Sequence, residues 1–399
     1  MHVVKPSVGI GGLQSCCLPP LDSAQIERYI GVGRVWGFLK YYHFKVAKGG
    51  LDWDAALVKI FEEGTFDQND SAYHQALRDL IGTAGQFKKG KRAKFPIGDQ
   101  ETRNVDWSWI ADTTKLPEEI THYLQAVRSY HHFKKNHYVQ KTQYEYRRYI
   151  LDHSYVNQRA PDVSVRLLGL FQYWNVIWYF YPYKNLAPEP WEDKLYEFIP
   201  LFIQAEGRHA YYRVMLQLTK QLKDTHSDFS HSPSDPEIYG YARFPFSFTS
   251  LSDTSIWISK IWMDSFPGRG QLKAGDQPLG INGTEIQENI NRLTPYIAAS
   301  NESAFRRNVC SYLPYDTVKG AVLKLKRADS IFYVNVSRLK NDEMKGLDLN
   351  FDFSGPPLIQ YFGTQGEFLY VNLGRATTTD LDSLIEAIEG SNSIIIDLR

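Results

Sequence analysis

The chain has 399 residues, with 45 basic and 45 acidic side chains and a formal charge of zero. That balance excludes a general nucleic-acid binder, which needs a basic excess to neutralise phosphates. Its 43% apolar and 14% aromatic content can fill sizeable cores, and its length allows two or three domains.

The N-terminus carries Leu13-Gln14-Ser15-Cys16, similar to a lipoprotein cleavage site. The preceding Val8-Gly9-Ile10-Gly11-Gly12 is too short and glycine-rich for an apolar signal core, so residues 1–24 are expected to be a disordered leader. Cys16, Cys17 and Cys310 show no Cys-x-x-Cys spacing, which gives neither a disulfide framework nor a zinc site. No apolar run approaches the length of a membrane span, so no integral membrane segment is expected.

From about residue 23 to 224 the pattern is helical and aromatic-rich. Asp22 and Ser23 are caps ahead of the periodic stretch Ile26, Ile30, Val35, Phe38 and Leu39. Residues 62–106 are polar and broken by glycine, and read as a long irregular connection. Within them the basic run Lys88-Lys89-Gly90-Lys91-Arg92-Ala93-Lys94 reads as a solvated loop. Residues 114–130, 163–181, 191–205 and 210–222 read as further helices, the first with Pro117 early in its first turn.

This region repeats itself. Trp36 lies 17 positions before Trp53, and Trp174 lies 17 before Trp191. Tyr41-Tyr42 matches Tyr179-Phe180 in register, and Leu57 matches Leu195. Two copies are too few for a solenoid, so the expectation is a duplicated helical hairpin with tryptophan packed at each turn.

After His226 the character changes. Residues 244–248 and 256–261 alternate like strands. Leu279-Gly280-Ile281-Asn282-Gly283-Thr284 reads as a strand entering an Asn-Gly tight turn, followed by a short helix at 285–293. Residues 322–325 and 332–336 pair as a hairpin around Ala328-Asp329. A linker at 352–357 leads to strand, helix and strand at 368–373, 378–388 and 394–397, one βαβ unit. The last of these, Ile394-Ile395-Ile396-Asp397, has the apolar, β-branched make-up of a buried parallel strand. Such a strand needs neighbours on both sides and a covering helix, so the chain is expected to be the front part of a longer protein.

Three segments together resemble the tail-specific, or carboxyl-terminal processing, serine peptidases, in their bacterial tricorn-like branch. The first is Arg34-Val35-Trp36-Gly37-Phe38-Leu39-Lys40-Tyr41-Tyr42-His43 with Asp52-Trp53-Asp54, and its counterpart around Trp174 and Tyr179-Phe180-Tyr181. The second, Asp224-Thr225-His226-Ser227, is similar to the family's Asp-x-His-Ser/Thr motif. The third, Leu272-Lys273-Ala274-Gly275-Asp276 followed by Ile281-Asn282-Gly283-Thr284, resembles the second half of a bacterial PDZ domain. Phe44 departs from the proline usual after Tyr-Tyr-His. The resemblance implies a multidomain α+β protein. Its parts are a helical N-terminal region (25–232), a PDZ-like β-rich module (238–340) and the first βαβ unit of an α/β peptidase core (355–399). It further implies hydrolysis of peptides or proteins, no cofactor, and the bacterial cell envelope. The family's nucleophilic serine and oxyanion-hole glycines lie downstream of the Asp-Leu-Arg strand, outside these 399 residues.

His226 is the candidate general base, because a serine hydroxyl needs a base of near-neutral pKa. In the family's serine–lysine branch a lysine takes that role and this histidine is structural. Phe244, Pro245 and Phe246 are the candidate substrate-binding residues, on a strand to which a peptide adds along an open sheet edge. The other reading of these aromatics is module core. His131, His132 and His137 lack a nearby carboxylate or thiolate to complete a metal set. The serines lack a Gly-x-Ser-x-Gly elbow, and no Gly-rich phosphate loop precedes a helix. The alternative function is a peptide-binding protein that does not cleave.

Overall fold

The computed structural model describes residues 20–86, 104–129, 136–141, 148–153, 155, 161–227, 239–250, 255–340, 342–344, 357–364 and 366–398. The expected leader (but for its last five residues), Cys16 and Cys17, the basic run, His131 and His132, and residues 352–356 of the linker lie outside the described residues. The chain is a multidomain α+β protein, with a helical N-terminal region followed by several small sheets. Three separate apolar cores hold it together.

Helix α1 (Ser23–Tyr42) opens on a capping box. Asp22 accepts from the Gln25 N–H at 2.7 Å, and Gln25 Oε1 accepts from the Asp22 N–H at 3.0 Å. Helix α2 (Trp53–Glu63) is capped by Asp52. Helix α3 (Asp70–Ala84) corrects the expectation of an irregular connection over 62–106. Asn69 caps it, and Tyr73, Leu77, Leu80 and Ala84 form one buried stripe in an otherwise polar segment. Helix α4 (Glu118–Ser129) begins just after Pro117 rather than around it. A short ribbon of β1 (Val139–Lys141) and β2 (Arg148–Ile150) follows, then α5 (Val163–Phe180), α6 (Lys194–Gln204) and α7 (Gly207–Lys220).

The tryptophan repeat is built into the main chain. Trp36 Nε1 donates to Trp53 O at 2.8 Å, and Trp53 Nε1 returns the bond to Trp36 O at 3.0 Å. Trp174 and Trp191 make the same reciprocal pair, at 3.0 and 3.2 Å. All four rings are buried, so each indole N–H needs such a partner. The two hairpins then meet through equivalent positions. A Cβ on Gly33 would lie 2.1 Å from the Phe171 ring, and one on Gly37 would lie 2.0 Å from Asn175. Each pair stands at the same offset from its own tryptophan, so α1 and α5 cross about a local two-fold axis. Polar ties obey the same rule. Gln172 Nε2 donates to Asp54 Oδ2 at 2.9 Å, and Arg34 pairs with Glu192, each joining the residue two before one tryptophan to the residue after the other hairpin's second.

The β-rich part is made of β3 (Ala242–Arg243), β4 (Phe246–Ser250), β5 (Ile256–Ile261), β6 (Gln277–Ile281), β7 (Thr284–Glu285), α8 (Ile286–Leu293), α9 (Glu302–Tyr312), β8 (Tyr315–Asp316), β9 (Gly320–Arg327), β10 (Ser330–Ser337) and β11 (Leu339–Lys340). One antiparallel sheet runs β10-β9-β6-β7, a second β11-β3-β8, and β4 pairs with β5. Asn282 and Gly283 turn β6 into β7 with φ of +53° and +80°, the geometry an Asn-Gly hairpin turn requires. The Leu272-to-Asp276 stretch is pinned from inside. Asp276 is fully buried, accepts from the Lys273 N–H at 2.8 Å, and takes both ends of the Arg327 guanidinium at 2.6 and 2.8 Å.

The last unit holds β12 (Ile359–Phe362), β13 (Phe368–Asn372), α10 (Leu381–Glu389) and β14 (Ile394–Asp397) in the order β12-β13-β14. Strand β14 is parallel to β13 as its composition implies, but among the described strands it forms the edge. Ile394, Ile395 and Ile396 are 38%, 50% and 52% exposed, so both faces of this strand are open, where the sequence reads as buried. The 399-residue chain is therefore expected to self-associate as its concentration rises, and Ile395→Lys with Ile396→Lys should shift it toward monomer. Sedimentation equilibrium reads the difference; a parent chain that stays monomeric at high concentration contradicts it.

Candidate active site

Helix α7 ends at Lys220, and the chain turns through Lys223, which adopts φ of +48°, a conformation that costs a lysine of order 1 kcal/mol. The next four residues form a closed hydrogen-bonded turn. Asp224 Oδ1 accepts from the His226 N–H at 2.9 Å and lies 3.2 Å from His226 Nδ1. The other carboxylate oxygen accepts from the Tyr181 hydroxyl at 2.8 Å. Ser227 Oγ donates to Asp224 O and Thr219 O at 2.7 and 3.0 Å, which fastens the turn to the end of α7. Thr225 reaches the other way: its N–H donates to Ser300 Oγ at 3.0 Å, and the Ser300 N–H donates to Thr225 Oγ1 at 3.1 Å. Each residue of the Asp-Thr-His-Ser motif thus has a separate structural task.

The electrostatics orient the ring. Burial pushes the Asp224 carboxyl up, but the hydrogen bonds from the His226 N–H, the Tyr181 hydroxyl and the His226 ring outweigh it and hold the group below its usual range. Asp224 is therefore ionised at neutral pH and loses its hold on the ring only when acid takes the pH below that range. An ionised carboxylate can only accept, so Nδ1 of a neutral His226 carries the proton and Nε2 presents its lone pair outward. The His226 side chain is 94% exposed, and no described residue bonds Nε2. Tyr181 answers in the opposite sense, its hydroxyl pushed well up by burial and by Asp224.

The turn is bonded to the helical part through Tyr181 and Thr219 and to the β-rich part through Ser300. Among the described residues no hydrogen bond runs from residues 224–227 to the unit at 359–397. The nearby serines are engaged: Ser227 on main-chain carbonyls, Ser300 on Thr225. Tyr181 was missed as a site residue. It lies 43 residues upstream in the aromatic exit of the second hairpin, and only the fold brings it to Asp224.

The other sequence candidates have a different setting. Phe244 and Phe246 are fully buried and stacked on each other at 4.9 Å, with the Arg338 guanidinium 4.2 Å over Phe244. Their side chains fill the β-rich core. Pro245 has no N–H to give a ladder, so the strand starts at Phe246 rather than Phe244. What this segment offers a ligand is main chain: β4 pairs with β5 alone among the described strands, and α9 packs beside it. Among the described residues no group of three or more His, Cys, Asp or Glu could hold a metal ion. No described helix is long and apolar enough to cross a membrane.

No family model matches the chain, and no curated protein sequence matches it. Eight solved chains do. One is the crystal structure of mature CPAF, 12% identical with a TM-score of 0.39, over 59% of this chain and 55% of that one. The chain thus spans little more than half the length of that structure.

Proposed function

We propose that this chain carries the general base and the peptide-presenting module of a serine peptidase that hydrolyses peptides or proteins. The observation that supports it most is the Asp224–His226 pair, with Nδ1 held by an ionised carboxylate and Nε2 open at the surface. In this reading His226 Nε2 takes the proton from a serine hydroxyl as the oxygen attacks the scissile carbonyl, and returns it to the leaving amine. Asp224 keeps the ring in the productive tautomer, and Tyr181 steadies Asp224. The β-rich part is read as PDZ-like, adding an extended peptide along the free edge of β4 beside α9. The serine is supplied, on the family resemblance, by a segment downstream of β14, which would cover the exposed ring. Periplasmic or envelope location belongs to the same resemblance.

Unfolded casein tests the proposal. The polypeptide extended through the downstream reading frame is expected to degrade it, and a serine-directed phosphonate to stop the reaction. Residues 1–399 alone should leave casein intact, since no described serine hydroxyl lies in hydrogen-bond reach of Nε2. Phosphonate-sensitive cleavage by residues 1–399 would place the nucleophile inside this chain and overturn the assignment. An extended polypeptide that binds peptides without cleaving them would favour the non-catalytic binder.

A further inference from the structure

Two buried lysines of the helical part come with carboxylates. Lys40 is fully buried and donates to Asp54 and Asp152. Lys194 is nearly so and donates to Glu189 and Glu197. The physical reason is that a buried ammonium without a counter-charge costs several kcal/mol of lost hydration. Lys184 breaks the pattern. It is 3% exposed, and among the described residues its ammonium has one hydrogen-bond partner, the neutral Oδ1 of Asn104 at 2.9 Å. The Asn104 amide is fixed in that orientation because its Nδ2 donates to Tyr181 O at 3.1 Å. The Trp178 ring lies 5.5 Å away, and burial pushes the ammonium down to about 8.

Lys184 lines a cavity of about 410 Å³, and so do Arg128 and Trp178. Arg128 holds its guanidinium 4.7 Å over the Trp107 ring and pairs with no described carboxylate. Trp178 Nε1 is buried with no acceptor among the described residues. Asp106 is the one carboxylate among the described lining residues, and the Ser108 N–H and Oγ donate to its two oxygens at 2.8 Å each. Two cations thus border one cavity with aromatic walls, against a single carboxylate among its described lining residues.

We propose that this cavity binds a small organic oxyanion, a carboxylate or phosphate monoester whose flat apolar body lies against Trp107 and Trp178. Lys184 and Arg128 supply the charge and the hydrogen bonds to the oxyanion. The cavity shares no lining residue with the Asp224–His226 turn, and the proposal does not rest on peptidase activity.

Calorimetric titration of the 399-residue chain with phenyl phosphate, benzoate and neutral benzyl alcohol tests it. At least one anion should bind in the millimolar range or tighter, and the alcohol should not. Preference between the anions distinguishes phosphate monoester from carboxylate. Lys184→Met and Arg128→Gln should each weaken binding by roughly tenfold or more, the loss of one charge-assisted contact. Lys184→Met removes an unpaired buried charge, so it should fold at least as well as the parent; if it does not, the partly exposed Arg128→Gln carries the test alone. Anion binding unchanged in the folded variants, equal binding of the alcohol, or no binding at all overturns the proposal and leaves Lys184 a structural residue.

Discussion

Trp53→Ala and Trp191→Ala are each expected to cost roughly 3–5 kcal/mol, and by similar amounts. Both rings are buried, and each closes a reciprocal pair with its hairpin partner. Truncation leaves a cavity of indole size and strips the partner tryptophan's carbonyl of its side-chain donor. The local two-fold axis makes the costs alike, because the equivalent residue stands in the equivalent hairpin. Trp53→Phe keeps most of the packing and loses the indole N–H, so it should cost less, about 1–3 kcal/mol. Urea unfolding followed by tryptophan fluorescence measures these values. A Trp53→Ala chain within about 1 kcal/mol of the parent would mean that the hairpin relaxes around the gap and that the reciprocal pair is incidental.

His226→Ala in the extended polypeptide should lower kcat by roughly 10²–10⁴, the usual share of a positioned general base. KM should change little, because the ring is assigned no part in holding substrate. Asp224→Asn is the sharper probe. Its amide can donate to Nδ1, which drives the proton to Nε2 and removes the lone pair the serine needs. Its loss should approach that of His226→Ala, up to about 10⁴. Tyr181→Phe keeps the tautomer and loosens only the carboxylate, so its effect should be the smallest of the three. Near-normal turnover in a folded His226→Ala enzyme would make this histidine structural and move the base to a lysine elsewhere.

Local signals carried much of the fold. The 17-residue tryptophan spacing, the Asn282-Gly283 turn and the apolar run at Ile394 each depend on neighbours in sequence, and each appears as the expected element. Helix α3 stayed hidden because its stripe of Tyr73, Leu77, Leu80 and Ala84 is thin and its other faces are polar. Helix α9, with Arg306, Arg307 and Asn308 at its middle, gave no periodic signal either. The ties that join the hairpins, Gln172 to Asp54 and Arg34 to Glu192, span 118 and 158 residues and follow only from the crossing of α1 and α5. The candidate site divides the same way. Asp224 and His226 are two residues apart and legible as a motif, whereas Tyr181 and Ser300 arrive through the fold. The phenylalanines of residues 244–248 show why alternation misleads: an apolar strand at a sheet edge reads as a binding strand whether its side chains face a groove or the core.

Labelling of the extended polypeptide with a fluorophosphonate tests the central claim most directly, because the probe reports serine activation without needing the natural substrate. The expected result is a single adduct on one serine outside residues 1–399, formed rapidly in the parent and slowed by roughly 10²-fold or more in His226→Ala and Asp224→Asn. An adduct that forms at the parental rate in both variants, or no adduct in a folded parent, would contradict the assignment of His226 as the base.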